Sequence, residues 1–233
     1  MKIIFKVLGI TIGLLALLIA GLIAILDESL PKGHSNNEAD VLAQKMLKVL
    51  NYDAYQNTRF LEWSYQAGKN QYKWDKLKGQ CTVTWDDYWV NLNLVRPKQS
   101  VVKQKDIILN DAAKEKIIEM ALANFNNDSF WLVAPYKVFD QGTNRSLVTL
   151  EDGEKGLLVT YSSGGTTPGD SYLWKLNADG FPISYKMWVK ILPIGGLKGT
   201  WDDWIVSESG AFLPKSHKLG PINLSMGNVK GYN

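Results

Sequence analysis

Two short stretches carry the residues best suited to chemistry. Thr84-Trp85-Asp86-Asp87-Tyr88 and Thr200-Trp201-Asp202-Asp203-Trp204 repeat one pattern: an aromatic residue, paired aspartates, a second aromatic residue. Two adjacent carboxylates could serve as general acid and base, or hold a hard metal ion through oxygen ligands. They also have a structural reading. Asp-Asp between strands makes a solvated turn, because Asp tolerates turn backbone and bonds to it locally, and the Trp before it ends an inward-facing strand. The first pair reads as such a turn. The second lies within a strand-like run. Glycosidase chemistry would also need two carboxylates at a set separation in a polar cleft, which nothing in the spacing supplies. No catalytic residue and no cofactor is expected.

The remaining reactive types are sparse. His34 and His217 stand alone, without the spacing of a metal site, so no metal is expected. Cys81 is the single cysteine, which rules out an intrachain disulfide, and its alternating segment reads as a small buried apolar position. Ser162-Ser163-Gly164-Gly165 does not match a nucleophile elbow. The glycines at 164, 165 and 169 lack the following helix of a phosphate loop, and with Pro168 they read as a long turn.

What stands out is aromatic. The chain holds nine Trp and ten Tyr, and most fall in segments with period-two alternation, on one face. Trp201 and Trp204 belong to this set. The candidate lining of an apolar cavity is Leu61, Trp63, Tyr65, Tyr72, Trp74, Val83, Trp85, Tyr88, Val90, Leu92, Tyr161, Tyr172, Trp174, Tyr185 and Met187. Such a face makes either a filled core or a cavity with a few polar handles for a lipid-like ligand. Alternation does not distinguish the two.

The elements that would position this face follow from periodicity. Helical spacing of Ala39, Leu42, Ala43, Met46, Leu47 and Leu50 predicts a helix over 38–50, capped by Asn36 or Asn37. Four strands follow: Leu61, Trp63 and Tyr65; Tyr72 and Trp74; Cys81, Val83 and Trp85; Tyr88, Val90, Leu92 and Leu94. Breaks at Gly68-Lys69-Asn70, Lys78-Gly79 and Asp86-Asp87 make them a meander. A second helix starts at Asn110 or Asp111, carries Ala113, Ile117, Met120, Ala121 and Phe125 as a stripe, and ends at Asn126-Asn127-Asp128. Strands are predicted again at 130–138, 145–151, 156–162, 171–177, 182–192, 199–207 and 211–217, with Lys186 and Lys190 outward. The predicted fold is α+β, mainly antiparallel: a curled, unclosed barrel of about ten or eleven strands with two covering helices.

The first residues set the expected address. Val7–Leu26 is uncharged and would span roughly 30 Å as a helix, the thickness of a bilayer core. Lys2 and Lys6 precede it, and Asp27 and Glu28 follow, which places the N-terminus in the cytoplasm. A cleaved signal peptide is the rival reading. The long run and the bulky end, Leu22-Ile23-Ala24-Ile25-Leu26, favour an uncleaved anchor. The expected organisation is a membrane helix over 1–26, a polar linker over 27–37 and an extracytoplasmic domain over 38–233. Fully extended, that linker would reach roughly 35–40 Å. Without Lys2 and Lys6 the chain carries 24 basic against 23 acidic residues, a balance that excludes nucleic acid as a partner and offers no polybasic cluster for anionic lipid.

One resemblance adds to this. Asn127-Asp128-Ser129-Phe130-Trp131-Leu132-Val133-Ala134-Pro135-Tyr136-Lys137-Val138-Phe139-Asp140-Gln141-Gly142 resembles a motif of an uncharacterised Gram-negative envelope family, as does Thr167-Pro168-Gly169-Asp170-Ser171-Tyr172. Tyr72-Lys73-Trp74-Asp75 matches too, with Tyr where that family has His. The resemblance covers roughly 39–220. It implies a fold like the periplasmic lipoprotein carriers, an unclosed β-barrel with helices over its mouth. By analogy it implies a non-catalytic binding protein for a lipid, acyl chain or lipoprotein, held at the inner membrane with its domain in the periplasm. The alternatives are an envelope assembly protein that recruits a protein partner, and a hydrolase using the Asp pairs.

Overall fold

The computed structural model describes residues 2–35, 37–163 and 167–233, the side chains of residues 2–4, 6–8, 16, 19, 20, 22 and 111 excepted. Helix α1 spans Lys2–Leu26. Among the described residues no helix is long and apolar enough to cross a membrane. The predicted span lies partly outside them, because the side chains of Val7, Leu8, Ala16, Ile19, Ala20 and Leu22 are not described.

Helix α2 (Asn37–Val49) forms where its stripe predicts, burying Ala39, Ala43, Met46 and Leu47; Asn36, a predicted cap, lies outside the described residues. Asn51 then takes a left-handed conformation, and the chain turns into a short helix α3 (Tyr52–Asn57) that periodicity did not reveal. The meander follows as β1 (Phe60–Tyr65), β2 (Asn70–Asp75), β3 (Gln80–Trp85) and β4 (Tyr88–Asn93). Its registers pair Trp63 with Tyr72, Tyr72 with Val83, and Val83 with Val90, so the apolar set shares one face. Two further strands, β5 (Val101–Gln104) and β6 (Ile107–Ile108), extend the sheet.

Helix α4 runs from Asp111 to Val133 and continues as a 3₁₀ turn, Ala134–Lys137. This overturns the predicted stop at Asn126-Asn127-Asp128 and the predicted strand at 130–138. Polar residues end helices when their side chains compete for the backbone. Here Asp128 is buried and its carboxylate is occupied by Asn70 and Tyr72 of β2. The helix therefore runs on, and the apolar run after it stays helical.

The second half supplies β7 (Thr143–Thr149), β8 (Lys155–Tyr161), β9 (Asp170–Leu176), β10 (Pro182–Trp188), β11 (Leu197–Thr200), β12 (Asp202–Val206), β13 (Phe212–Leu219) and β14 (Ile222–Ser225). The predicted strand at 182–192 stops at Trp188, and 199–207 divides between β11 and β12. A last strand, β15 (Lys230–Tyr232), returns to pair with β1. The fold is α+β and mostly antiparallel. In place of one sheet of ten or eleven strands, the described residues form fifteen strands in two sheets, ordered β15-β1-β2-β3-β4-β5-β6 and β12-β13-β11-β10-β9-β8-β7 with β14 on β13; among these residues neither sheet closes. Helix α4 packs on β4 and β5 of one sheet and on β13 of the other, whereas α2 lies on β7 and β8.

The polar segment after α1 is not a free linker. His34 and Leu147 exchange backbone hydrogen bonds of 2.9 and 3.0 Å, which adds a bridge to the edge strand β7. Glu28 pairs with Lys186, and Trp188 donates its indole N–H to the Glu28 carbonyl at 2.7 Å. The predicted 35–40 Å of reach is therefore not available: the segment lies as a strap along the outside of the second sheet. An ion pair, an edge bridge and the hydrogen bond from the half-buried Trp188 together outweigh the conformational freedom that its polar composition suggested.

Gly199 marks one tight point. It faces Tyr185 across β10 and β11, and a Cβ there would lie 2.3 Å from the phenol oxygen and 2.4 and 2.7 Å from ring carbons. The ring is wedged between Trp174 and Trp201. Gly199→Ala is expected to destabilise the protein by about 1–3 kcal/mol, seen as a lower urea midpoint with an unchanged slope.

Candidate functional site

The inner faces of the two sheets are built from cross-strand rows. In the first sheet, Leu61, Trp74, Cys81 and Leu92 stand side by side, as do Trp63, Tyr72, Val83, Val90 and Val102. In the second, the rows are Leu157, Trp174, Tyr185 and Gly199, and Val159, Tyr172, Met187 and Leu197. All fifteen predicted lining residues fall in one apolar cluster. Leu61, Trp63, Tyr65, Tyr72, Val83, Trp85, Val90, Leu92, Trp174, Tyr185 and Met187 are buried in it, while Trp74, Tyr88, Tyr161 and Tyr172 are half-buried against it.

Helix α4 joins the two faces. Phe125 meets Trp74 edge-on at 5.2 Å and lies 6.2 Å from Trp63. One turn and a half further on, Phe130 lies 4.7 Å from Tyr172, and Trp131 is 5.9 Å from Tyr185. Phe125, Phe130, Trp131 and Trp201 therefore belong to the site but were missing from the predicted lining. Phe130 and Trp131 lie in the predicted strand at 130–138, which the structure replaces by α4.

Three polar features sit within this aromatic interior. The first is Asp128. Its Oδ2 accepts Asn70 Nδ2 at 2.8 Å and the Tyr72 hydroxyl at 2.5 Å, and its Oδ1 accepts Asn127 Nδ2 at 2.8 Å. Burial pushes this carboxyl above the ordinary carboxylate range, with those three bonds acting in the opposite sense. Its place behind Asn126-Asn127, a pair that reads as a helix stop in sequence, concealed it.

The second is His217 on β13, fully buried against Trp201 at 4.4 Å and Trp131 at 5.5 Å. Its Nε2 faces the Trp131 carbonyl at 2.8 Å and its Nδ1 the Thr200 carbonyl at 3.2 Å. Two acceptors favour the doubly protonated ring, as does Asp202 nearby. Burial outweighs them and lowers the pKa. This histidine holds α4 to the second sheet. Among the described residues no group of three or more His, Cys, Asp or Glu is placed to hold a metal ion.

The third is a set of donors with no protein acceptor: the indole N–H groups of Trp63, Trp74, Trp174 and Trp201, and the Tyr185 hydroxyl. Edge-on ring contacts, such as Trp174 on Trp201 at 5.0 Å, offer at most weak N–H···π interactions. An unpaired buried donor costs about 1–3 kcal/mol, so five in one cluster are a large polar burden. The phenols cannot relieve it by ionising. Burial, then the Asp128 charge, pushes Tyr65 up to about 12, and burial raises Tyr185 and Tyr172 further. Cys81 faces the same interior, with its thiol driven up by burial, which leaves it a small apolar residue as predicted.

The Asp pairs do not meet. Asp86 and Asp87 form the β3–β4 turn and pair with Lys69 at 3.8 Å and Lys105 at 3.3 Å. Asp202 and Asp203 lie on the edge strand β12 of the other sheet. Charges there blunt a sheet edge against adding another strand. Two clefts open outside the aromatic interior. A groove of about 350 Å³ lies between the strap and the outer face of the second sheet, and one of about 470 Å³ lies beside α2 and α3.

No protein-family model matches this chain, and no curated protein sequence matches it at a significant level.

Proposed function

We propose that this protein is a membrane-tethered, extracytoplasmic, non-catalytic binding protein for an apolar ligand: a lipid, an acyl chain or a lipoprotein. The observation that carries this reading is the aromatic interior with five unpartnered donors, set between two sheets that do not close. Acyl chains suit the rings, and ester or carboxylate oxygens suit the indole N–H groups and the Tyr185 hydroxyl. The carrier-like motif at Asn127–Gly142 supports it, since it supplies Phe130 and Trp131. Val7–Leu26 supports the tether, Lys2 and Lys6 a cytoplasmic N-terminus, and together they put the domain at the outer face of the inner membrane. In this reading the two sheets form a carrier-like half-barrel, with α4 as its lid.

The test is native mass spectrometry of residues 27–233, which keep the strap. A retained lipid mass, and displacement of a bound fluorescent fatty acid by unlabelled lipid, are expected. A clean protein mass with no fatty-acid binding would overturn the proposal.

A second reading rests on the edge of the first sheet. Strand β6 presents Ile107 and Ile108 to solvent, and an exposed apolar edge strand can add a strand from a partner. On this reading the protein recruits an envelope protein. A stoichiometric partner captured from membranes by wild type but not by Ile107→Lys, without bound lipid, would favour it.

A further inference from the structure

The strap places one loop beside the end of α1. Helix α1 ends at Leu26, and Asp27 N–H makes its last helical bond, to the Ile23 carbonyl at 2.9 Å. Asp27 Oδ1 accepts the Gly195 N–H at 2.7 Å, and Glu28 N–H donates to the Gly195 carbonyl at 3.1 Å. Trp188 and Lys186 hold Glu28 from the same strand, β10. The first two residues after α1 are thus bonded to β10 and to the loop that joins it to β11.

That loop reads Ile191-Leu192-Pro193-Ile194. Ile191 is 68 % exposed and Leu192 36 % exposed, and Lys190 precedes them. Leu30 of the strap is exposed as well. Two residues separate Leu192 from Gly195, at most about 10 Å of extended chain. The interfacial zone of a bilayer is about 5–8 Å deep on each side. Asp27 enters that zone as soon as Leu26 leaves the hydrocarbon, and Gly195 is bonded to it.

We infer that the Ile191–Ile194 loop is a second membrane contact, with its apolar side chains in the interfacial zone of the bilayer that holds α1. The inference rests on the proposed anchor. The proximity comes from the Asp27 and Glu28 bonds, and the chemistry from the exposed Ile191 and Leu192, apolar side chains suited to the acyl-chain boundary. The Trp188 indole, turned toward the strap, belongs at the same depth. The domain then lies on the lipid in one orientation.

Cys81 is fully buried, so a single introduced cysteine labels selectively. The full chain is reconstituted in liposomes containing anionic lipid, with a nitrobenzoxadiazole probe at Ile191→Cys, Leu14→Cys or Leu77→Cys; Leu77 is exposed in the β2–β3 turn of the other sheet. Spin-labelled lipids then quench by depth. The probe at 191 is expected to be quenched by a shallow label at least severalfold more than the probe at 77, and the probe at 14 by a deep label. Quenching at 14 with equal quenching at 191 and 77 overturns the loop contact and leaves the anchor standing. Absence of deep quenching at 14 overturns the anchor, and the inference with it.

Discussion

Trp174→Ala should lower unfolding stability by about 3–5 kcal/mol, and the melting temperature by on the order of 10 °C. Trp174 is fully buried at the centre of the second sheet's inner face, between Leu157 and Tyr185 in its row and edge-on to Trp201. Removing it opens the largest cavity that any one residue of the row can leave. Trp174→Phe separates packing from ligand binding. It keeps a ring and deletes an N–H that has no protein partner, so its cost should stay within about 2 kcal/mol. If the interior takes an acyl ligand through those donors, the same variant should lose a substantial part of the fatty-acid affinity. Calorimetry and fatty-acid titration of both variants check this. A phenylalanine variant with unchanged affinity would remove Trp174 from the binding role and leave it in the core.

Asp128→Ala is the second large effect. It strands Asn70 Nδ2 and the Tyr72 hydroxyl, both buried donors, and should destabilise the fold by about 2–5 kcal/mol. Asp128→Asn retains an acceptor for them and should cost far less. The pair also carries a pH signature. Burial raises the Asp128 carboxyl when folded, so the native state holds that proton more tightly than the unfolded chain. The resulting stability is fully present below the unfolded carboxylate range, about pH 4. It is lost as pH rises through the raised value. Asparagine has no such proton. Relative to wild type, Asp128→Asn should therefore gain stability as pH rises above about 4. Urea melts at several pH values check it. Parallel curves for the two proteins would show that the carboxyl titrates as it does when unfolded.

The meander β1–β4 of the first sheet was legible in detail because its signal is local. Side chains alternate along a strand, and a two-residue turn such as Asp86-Asp87 fixes the register. Leu61, Trp63, Tyr72, Val83, Val90 and Leu92 could therefore be assigned to one face before any partner was known, and they share it. The stripe of α2 was legible for the same reason. The ends of elements were not. Phe130–Val138 is apolar enough for a buried strand or a buried helix, and its periodicity over nine residues does not decide between them. Strands β5, β6, β14 and β15 are two to four residues long, too short to show a period.

What the sequence determined by itself was the identity of the inner face, the meander, the solvated first Asp pair and the inert cysteine. Each depends on neighbours within a few residues. Tertiary structure alone decided that α4 continues through Asp128, that the strands divide into two open sheets, that His217 is buried, and that Asp27–His34 is a strap. Each of these depends on a partner far along the chain: Asn70 and Tyr72 for Asp128, Trp131 for His217, and Lys186, Trp188, Gly195 and Leu147 for the strap. A polar side chain looks the same in sequence whether it meets water or a buried donor. Only the contact across the fold decides whether it ends an element or holds two together.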